Sequence, residues 1–188
     1  MNQESELINV LAEKISQSDR QAFDELFRLM YPGLVRYAVL YLKEKQIACD
    51  IAQDTFITLW KQRTNIDLDK SLKSFLFRMV KNQCLNFLRD NERLIVDTDL
   101  MNITPADRQG ADLSEYHTHE NRLANLFREW IDSLPERQKE AFELSRFEGL
   151  NHHEIADVME ISAKTVNNHI VTALQQLRAC YEAYQNNE

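Results

Sequence analysis

At 188 residues, with 44% hydrophobic and 28% charged positions, the chain can build one large globular domain or two small ones; three Gly and three Pro are too few breakers for an all-β fold. A formal net charge of −8 excludes polyanion binding by the surface as a whole, so any nucleic-acid contact must come from local basic faces. The expected fold class is therefore all-α, with function carried by particular helix faces.

The first predicted helix carries Leu7, Ile8, Leu11 and Ile15 on one face and ends near Ser16. Ser18-Asp19-Arg20-Gln21 reads as a capping box opening the next helix, whose apolar face is Ala22, Phe23, Leu26, Phe27 and Met30. Tyr31-Pro32-Gly33 is expected to interrupt that helix, because proline removes a backbone donor and crowds the preceding turn. A third helix then follows with Leu34, Tyr37, Ala38, Tyr41 and Leu42, closed by Lys43-Glu44-Lys45. Aromatic rings at this helical spacing are read as core rather than as a stacking platform.

Over residues 48–63 the apolar stripe is Ile51, Ala52, Thr55, Phe56, Leu59 and Trp60, and the opposite face shows Asp50, Gln53, Asp54, Thr58 and Lys61. Asp50 and Asp54 lie one helical turn apart, but no histidine or third carboxylate shares that face. A metal site is therefore not expected, which leaves a solvated surface or a docking face. Residues 70–93 reverse the local sign of charge: Lys70, Lys73, Arg78, Lys81, Arg89 and Arg93 stand against only Asp90 and Glu92. Cations interleaved with Asn82, Gln83, Asn86 and phenylalanines provide charge for phosphates, with amides and rings for unstacked bases. Leu72, Phe75, Leu76, Met79, Val80 and Phe87 are left to face a core.

Residues 96–121 lack a sustained apolar period and contain Asp97, Asp99, Asp107, Asp112, Glu115 and Glu120 against the single cation Arg108, with Pro105 and Gly110 as further breaks. This is a predicted acidic, flexible linker. His117 and His119, like His152 and His153 further on, have no cysteine at ligand spacing and are read as surface residues.

Beyond the linker, Pro135 suits a helix start, and Gly149 suits the positive φ that closes the helix ending near Phe147. Asn151 with Glu154 forms a capping box for a short helix bearing Ile155, Ala156 and Met159. After the turn at Glu160-Ile161-Ser162, Ser162 caps a long helix from Ala163. Val166, Ile170, Leu174, Leu177, Tyr181 and Tyr184 form its predicted buried stripe. Its other face shows Lys164, Asn167, Asn168, Thr172, Gln175 and Arg178. A short helix, a tight turn and a longer helix with a polar front make a helix-turn-helix, favoured here over a plain helical hairpin. Cys49, Cys84 and Cys180, odd in number and far apart, are expected to be buried free thiols in a reducing compartment. No signal-peptide layout and no membrane-spanning apolar run is present, so a cytoplasmic protein without direct membrane insertion is expected.

In order, DIAQDTFITLW at 50–60, SFLFRMVKNQCLNFLRD, the polar linker and LPERQKEAFELSRFEGLNHHEIADVM with the terminal helix-turn-helix resemble the extracytoplasmic-function (ECF) group of sigma-70 RNA polymerase sigma factors. The resemblance spans about residues 19–178. It implies two small helical domains, a sigma-2-like bundle over 1–95 and a sigma-4-like domain over 122–188, joined by the linker 96–121.

The resemblance also implies site residues. Asp50, Gln53, Asp54 and Thr58 would contact core RNA polymerase, whose β′ clamp and β subunits are the implied partners. The loop over residues 61–71, including Ile66, Asp67 and Leu68, with Lys73, Arg78, Lys81, Asn82 and Asn86, would recognise and open the −10 element. Lys164, Thr165, Asn167, Asn168, His169 and Thr172 would read the −35 element as duplex. No cofactor and no catalytic site are implied. An anti-sigma factor, often membrane-bound in the family, is an implied partner. The acidic linker would be either a nucleic-acid mimic inside polymerase or a plain solvated tether. Relatives often place arginines on the groove-facing positions of the last helix, where this chain has Asn167, Asn168, His169 and Thr172, so an A-rich −35 preference is expected.

Two rivals make different predictions. A two-fold helix-turn-helix regulator working without polymerase would be dimeric and would leave the 50–93 block unexplained. A metal-dependent hydrolase built on Asp50, Asp54 and the histidines lacks any HExxH-type motif.

Overall fold

The computed structural model describes residues 3–98 and 119–186, with side chains over 3–91 and 122–186. In chain order the elements are α1 (Gln3–Ser16), α2 (Arg20–Leu42), α3 (Lys45–Lys61), a 3-10 turn at Arg63–Asn65, α4 (Leu72–Thr98), α5 (His119–Asp132), α6 (Glu136–Arg146), α7 (His152–Met159) and α8 (Ala163–Gln185). The described residues contain no strand. Of the predicted linker, 96–98 continue α4 and 119–121 begin α5, while 99–118 lie outside the described residues.

Helix starts follow the local chemistry, with one shift. Asp19, not Ser18, caps α2: its carboxylate accepts from the amides of Gln21 and Ala22 at 2.8 and 3.1 Å. Ser18 cannot hold the extended N-cap conformation because it sits at φ 70, turning the chain out of α1. Pro135 occupies the N-cap of α6 rather than its first turn. Asn151 and Glu154 form the predicted reciprocal box, and Ser162 caps α8. Gly149 takes φ +66, and Lys43 and Glu160 end their helices in the left-handed region.

The predicted break at Tyr31-Pro32-Gly33 does not occur, and α2 runs through Pro32. Proline forfeits one helical hydrogen bond, a cost of about 3 kcal/mol. Burial on both sides of it outweighs that cost: Leu26, Met30, Leu34, Tyr37 and Ala38 are all enclosed between α2 and its neighbours α3 and α4. Leucines buried this fully contribute about 1.5–3 kcal/mol each. The aromatic stripe is core, as expected: Phe23 meets Trp60 edge-on at 5.0 Å, and Tyr37 meets Phe77 at 5.3 Å.

One apolar cluster runs from α1–α4 into the rear helices. Leu76, Phe77 and Val80 of α4 share it with Leu144, Ile155 and Val158 of α6 and α7. A smaller cluster, Ile131, Leu134, Phe142, Ala173 and Leu177, ties α5 and α6 to α8. The predicted α8 stripe needs correction here. Leu174 and Tyr181 are 50% and 42% exposed, because α8 meets neighbours along a narrower line through Val166, Ala173 and Leu177.

Candidate nucleic-acid interface

Helix α3 sets the first part of the site. Ile51, Ala52, Thr55, Phe56 and Leu59 are buried, so the 3.6-residue repeat turns Asp50, Gln53 and Asp54 fully outward and leaves Thr58 half-buried at the edge. Thr55 is accommodated in the core by donating to the Ile51 carbonyl at 2.9 Å. The result is an exposed, acid-and-amide face on a rigid support.

The loop after α3 is held at both ends. The Arg63 guanidinium donates to the Trp60 carbonyl and to Ser18 Oγ, both at 2.9 Å, and lies 4.7 Å from the Trp60 ring centre. At the tip, Lys70 Nζ sits 2.9 Å from Asp67, whose other oxygen accepts from the Asp69 amide. The lysine and that amide hold the Asp67 carboxyl below its ordinary pKa, and Lys70 is raised in return. Leu68 is half-exposed and Ile66 is half-buried against the core.

Between this loop and the start of α4 lies a cavity of about 290 Å³. Ile66, Asp67, Lys70 and Arg78 line it, together with Gln62, Asn65, Ser71, Leu72, Ser74 and Phe75, and Asp157 reaches it from α7. It combines an aromatic ring, an apolar floor, short polar groups and cations, which suits a flat polar ring such as a base. The resemblance places Gln62, Asn65 and Ser71 in the loop implied for the −10 element, whereas nothing in the sequence singles out Ser74, and Phe75 reads there as a core residue.

Further along α4, Asn82 and Asn86 are exposed as predicted, and Arg78 is half-buried on the cavity rim. Lys73 and Lys81, expected on the same cationic surface, are instead buried. Lys73 Nζ donates to Glu4 at 2.6 Å, and Lys81 Nζ donates to Glu140 at 3.0 Å. The periodic pattern alone leaves both on the polar side. Carboxylates from α1 and α6 make their burial tolerable.

In the rear half, Lys164, Asn167 and Asn168 are exposed, while Thr165, His169 and Thr172 are half-buried along the same side of α8. Thr165 donates its amide to Ser162 Oγ at 3.1 Å. The Thr172 hydroxyl donates to the Asn168 carbonyl at 2.9 Å, leaving its oxygen free to accept. The α7–turn–α8 unit thus presents its longer helix with amides and one cation outward, the geometry a major groove accepts. His152 and His153 are exposed at the start of α7.

Two family models match: sigma-70 region 2 over residues 26–94, and sigma-70 region 4 over residues 124–177. The chain belongs to the sigma-70 family, in its ECF group. The RNA polymerase sigma-H factor of Pseudomonas aeruginosa is 27% identical to this sigma factor over 176 residues, covering 89% of this chain and 90% of that protein. The ECF RNA polymerase sigma factor SigM of Bacillus subtilis is 25% identical over 165 residues, covering 88% and 98%. Among solved structures, the sigma factor RpoE of Bartonella quintana, in complex with the anti-sigma factor NepR, shares the fold with a TM-score of 0.61 at 22% identity. That match covers 85% of this chain and 96% of that one. Region 2 spans most of α2, all of α3, the cavity lining except Asp157 and most of α4, and region 4 spans α7, the turn and most of α8.

Proposed function

We propose that this sigma factor binds core RNA polymerase, places it at a limited set of promoters and assists strand opening, with no bond-making chemistry of its own. The unit 1–95 docks on the β′ clamp through Asp50, Gln53, Asp54 and Thr58. It takes the −10 element with the loop Ile66-Asp67-Leu68 and with Arg78, Lys81, Asn82 and Asn86. Lys73, bound to Glu4, acts by fixing α1 to the start of α4. The unit 122–188 reads the −35 duplex with Lys164, Thr165, Asn167, Asn168, His169 and Thr172. Residues 96–121 tether the two units, and core polymerase also contacts the chain through its β subunit. The work takes place in the cytoplasm, where polymerase is; none of the described helices is long and apolar enough to cross a membrane.

One observation supports this reading above the others: the exposed α3 face, the aromatic-lined cavity and the exposed amides of α4 follow one another on a single rigid scaffold. A base leaving the stack costs about a few kcal/mol, which phosphate contacts and polymerase binding must offset. A helix-turn-helix regulator acting alone gives the α3 face no task. The relatives' names carry RNA polymerase, and the Bartonella structure contains an anti-sigma factor. A protein of that class, membrane-bound or soluble, is the inhibitory partner assigned to this chain. The test is reconstitution with core polymerase on promoter libraries. Asp54→Arg should abolish core association, whereas Asn82→Ala should leave association intact and slow opening. Promoter-specific transcripts that persist with Asp54→Arg, or their absence with the wild-type chain, would defeat the proposal.

A further inference from the structure

The seam between the front helices α1–α4 and the rear helices α6–α7 has one-sided polar chemistry. Every cross-seam side-chain hydrogen bond described runs from a donor in front to a carboxylate behind. Glu140 of α6 accepts from the Tyr37 and Tyr41 hydroxyls at 2.8 and 2.6 Å and from Lys81 Nζ at 3.0 Å. Glu148 takes the forked guanidinium of Arg36 at 3.0 and 3.1 Å. Glu154 accepts from Ser71 Oγ at 2.7 Å, beside the cavity that Asp157 of the same helix helps to wall. Gly33 is part of the fit, since a Cβ there would collide with the Glu148 carboxylate.

We infer that Glu140 is a latch: it shuts the rear half over the front half and occupies Lys81 of the face assigned above to the −10 strand, while Glu154 takes Ser71 on the wall of the adjoining cavity. The masking part rests on that assignment, and the latching part does not. Lys81 has one ammonium, and a phosphate and the Glu140 carboxylate compete for it. With side chains 8% and 9% exposed, Lys81 and Glu140 are an ion pair whose mutual attraction little more than offsets their desolvation; Lys81 left alone in the closed seam is heavily penalised, and Glu140 without it keeps only Tyr37, Tyr41 and, at 3.6 Å, Arg137. Such a pair sets the register of closure without gluing it. When the halves part, both groups return to water together and Lys81 becomes available.

The full-length chain, carrying a dye pair introduced through unnatural amino acids at exposed Glu25 and Ala179, tests this by energy transfer. Glu140→Ala should lower transfer while circular dichroism keeps its helical signal. Lys81→Met should open the chain as well. Unchanged transfer in Glu140→Ala overturns the latch. A second arm uses a fluorescent single-stranded DNA oligonucleotide. If closure is favoured about tenfold, Glu140→Ala should bind it about tenfold more tightly than wild type, and Lys81→Met should open without that gain. An opened Glu140→Ala chain that still ignores the oligonucleotide overturns the masking and the nucleic-acid assignment of the front face, and leaves the latch standing.

Discussion

Removing Glu140 should expose how much the seam depends on one carboxylate. In the closed chain, Glu140→Ala leaves the Lys81 ammonium, on a side chain 8% exposed, without a partner, and breaking such a buried pair costs about 3–5 kcal/mol. Tyr37 and Tyr41 lose their acceptor too, although their hydroxyls, 3.4 Å apart, can still bond to each other, which limits the added loss. Against a typical domain stability of about 5–15 kcal/mol, a loss near 4 is a large fraction. The double variant Lys81→Met/Glu140→Met replaces both charges with apolar volume and should return close to wild type. Urea unfolding is the assay, and the two tryptophans allow each half to be followed: Trp60 lies in α3 and Trp130 in α5. In single-tryptophan backgrounds the wild-type transitions should coincide, because one core spans both halves. In Glu140→Ala the Trp130 transition should move to lower urea. A single variant within about 0.5 kcal/mol of wild type, or a double variant as unstable as the single, would refute the reasoning.

The remaining predictions concern caps, titration, thiols and promoter preference. Asn151→Ala removes the box that starts α7 and should cost about 0.5–2 kcal/mol in urea unfolding. Burial, the largest cause, raises the Glu143 carboxyl from 4.5 to about 7. The folded chain therefore holds a proton that the unfolded chain has released, so this group's contribution to stability falls as pH rises from 4.5 toward 7 and is constant above; Glu143→Gln should flatten that part of a melting-temperature profile. Of the three thiols expected to be buried, Cys49 and Cys180 are half-buried and only Cys84 is enclosed. Burial pushes its thiol up to about 12, so native alkylation followed by mass spectrometry should leave Cys84 unmodified until denaturant is added. A randomised promoter library should return an A-rich −35 element if Asn167 and Asn168 read adenine edges; a G-rich selection would contradict that pairing.

Much of the fold was legible because the signals are local. Asn151 with Glu154, Ser162 and Gly149 act on backbone groups within a few residues, and each does what its chemistry dictates. The outward turn of Asp50, Gln53 and Asp54 follows equally from periodicity and the burial of Ile51, Phe56 and Leu59. Asp19 displaced Ser18 as the cap for the same kind of local reason, a one-residue competition between adjacent oxygens.

Distant partners decided the rest. Pro32 breaks a helix in isolation, yet packing against α3 and α4 carries α2 straight through it. Lys73 and Lys81 read as surface cations until Glu4 and Glu140, 69 and 59 positions away, take them into the interior. Leu174 and Tyr181 keep the correct spacing for a buried stripe, but among the described residues no neighbour covers them. Helix periods and caps are properties of a few consecutive residues, so the amino-acid order alone determines them. Which polar face becomes a seam depends on what another segment presents to it, and only the assembled chain decides that.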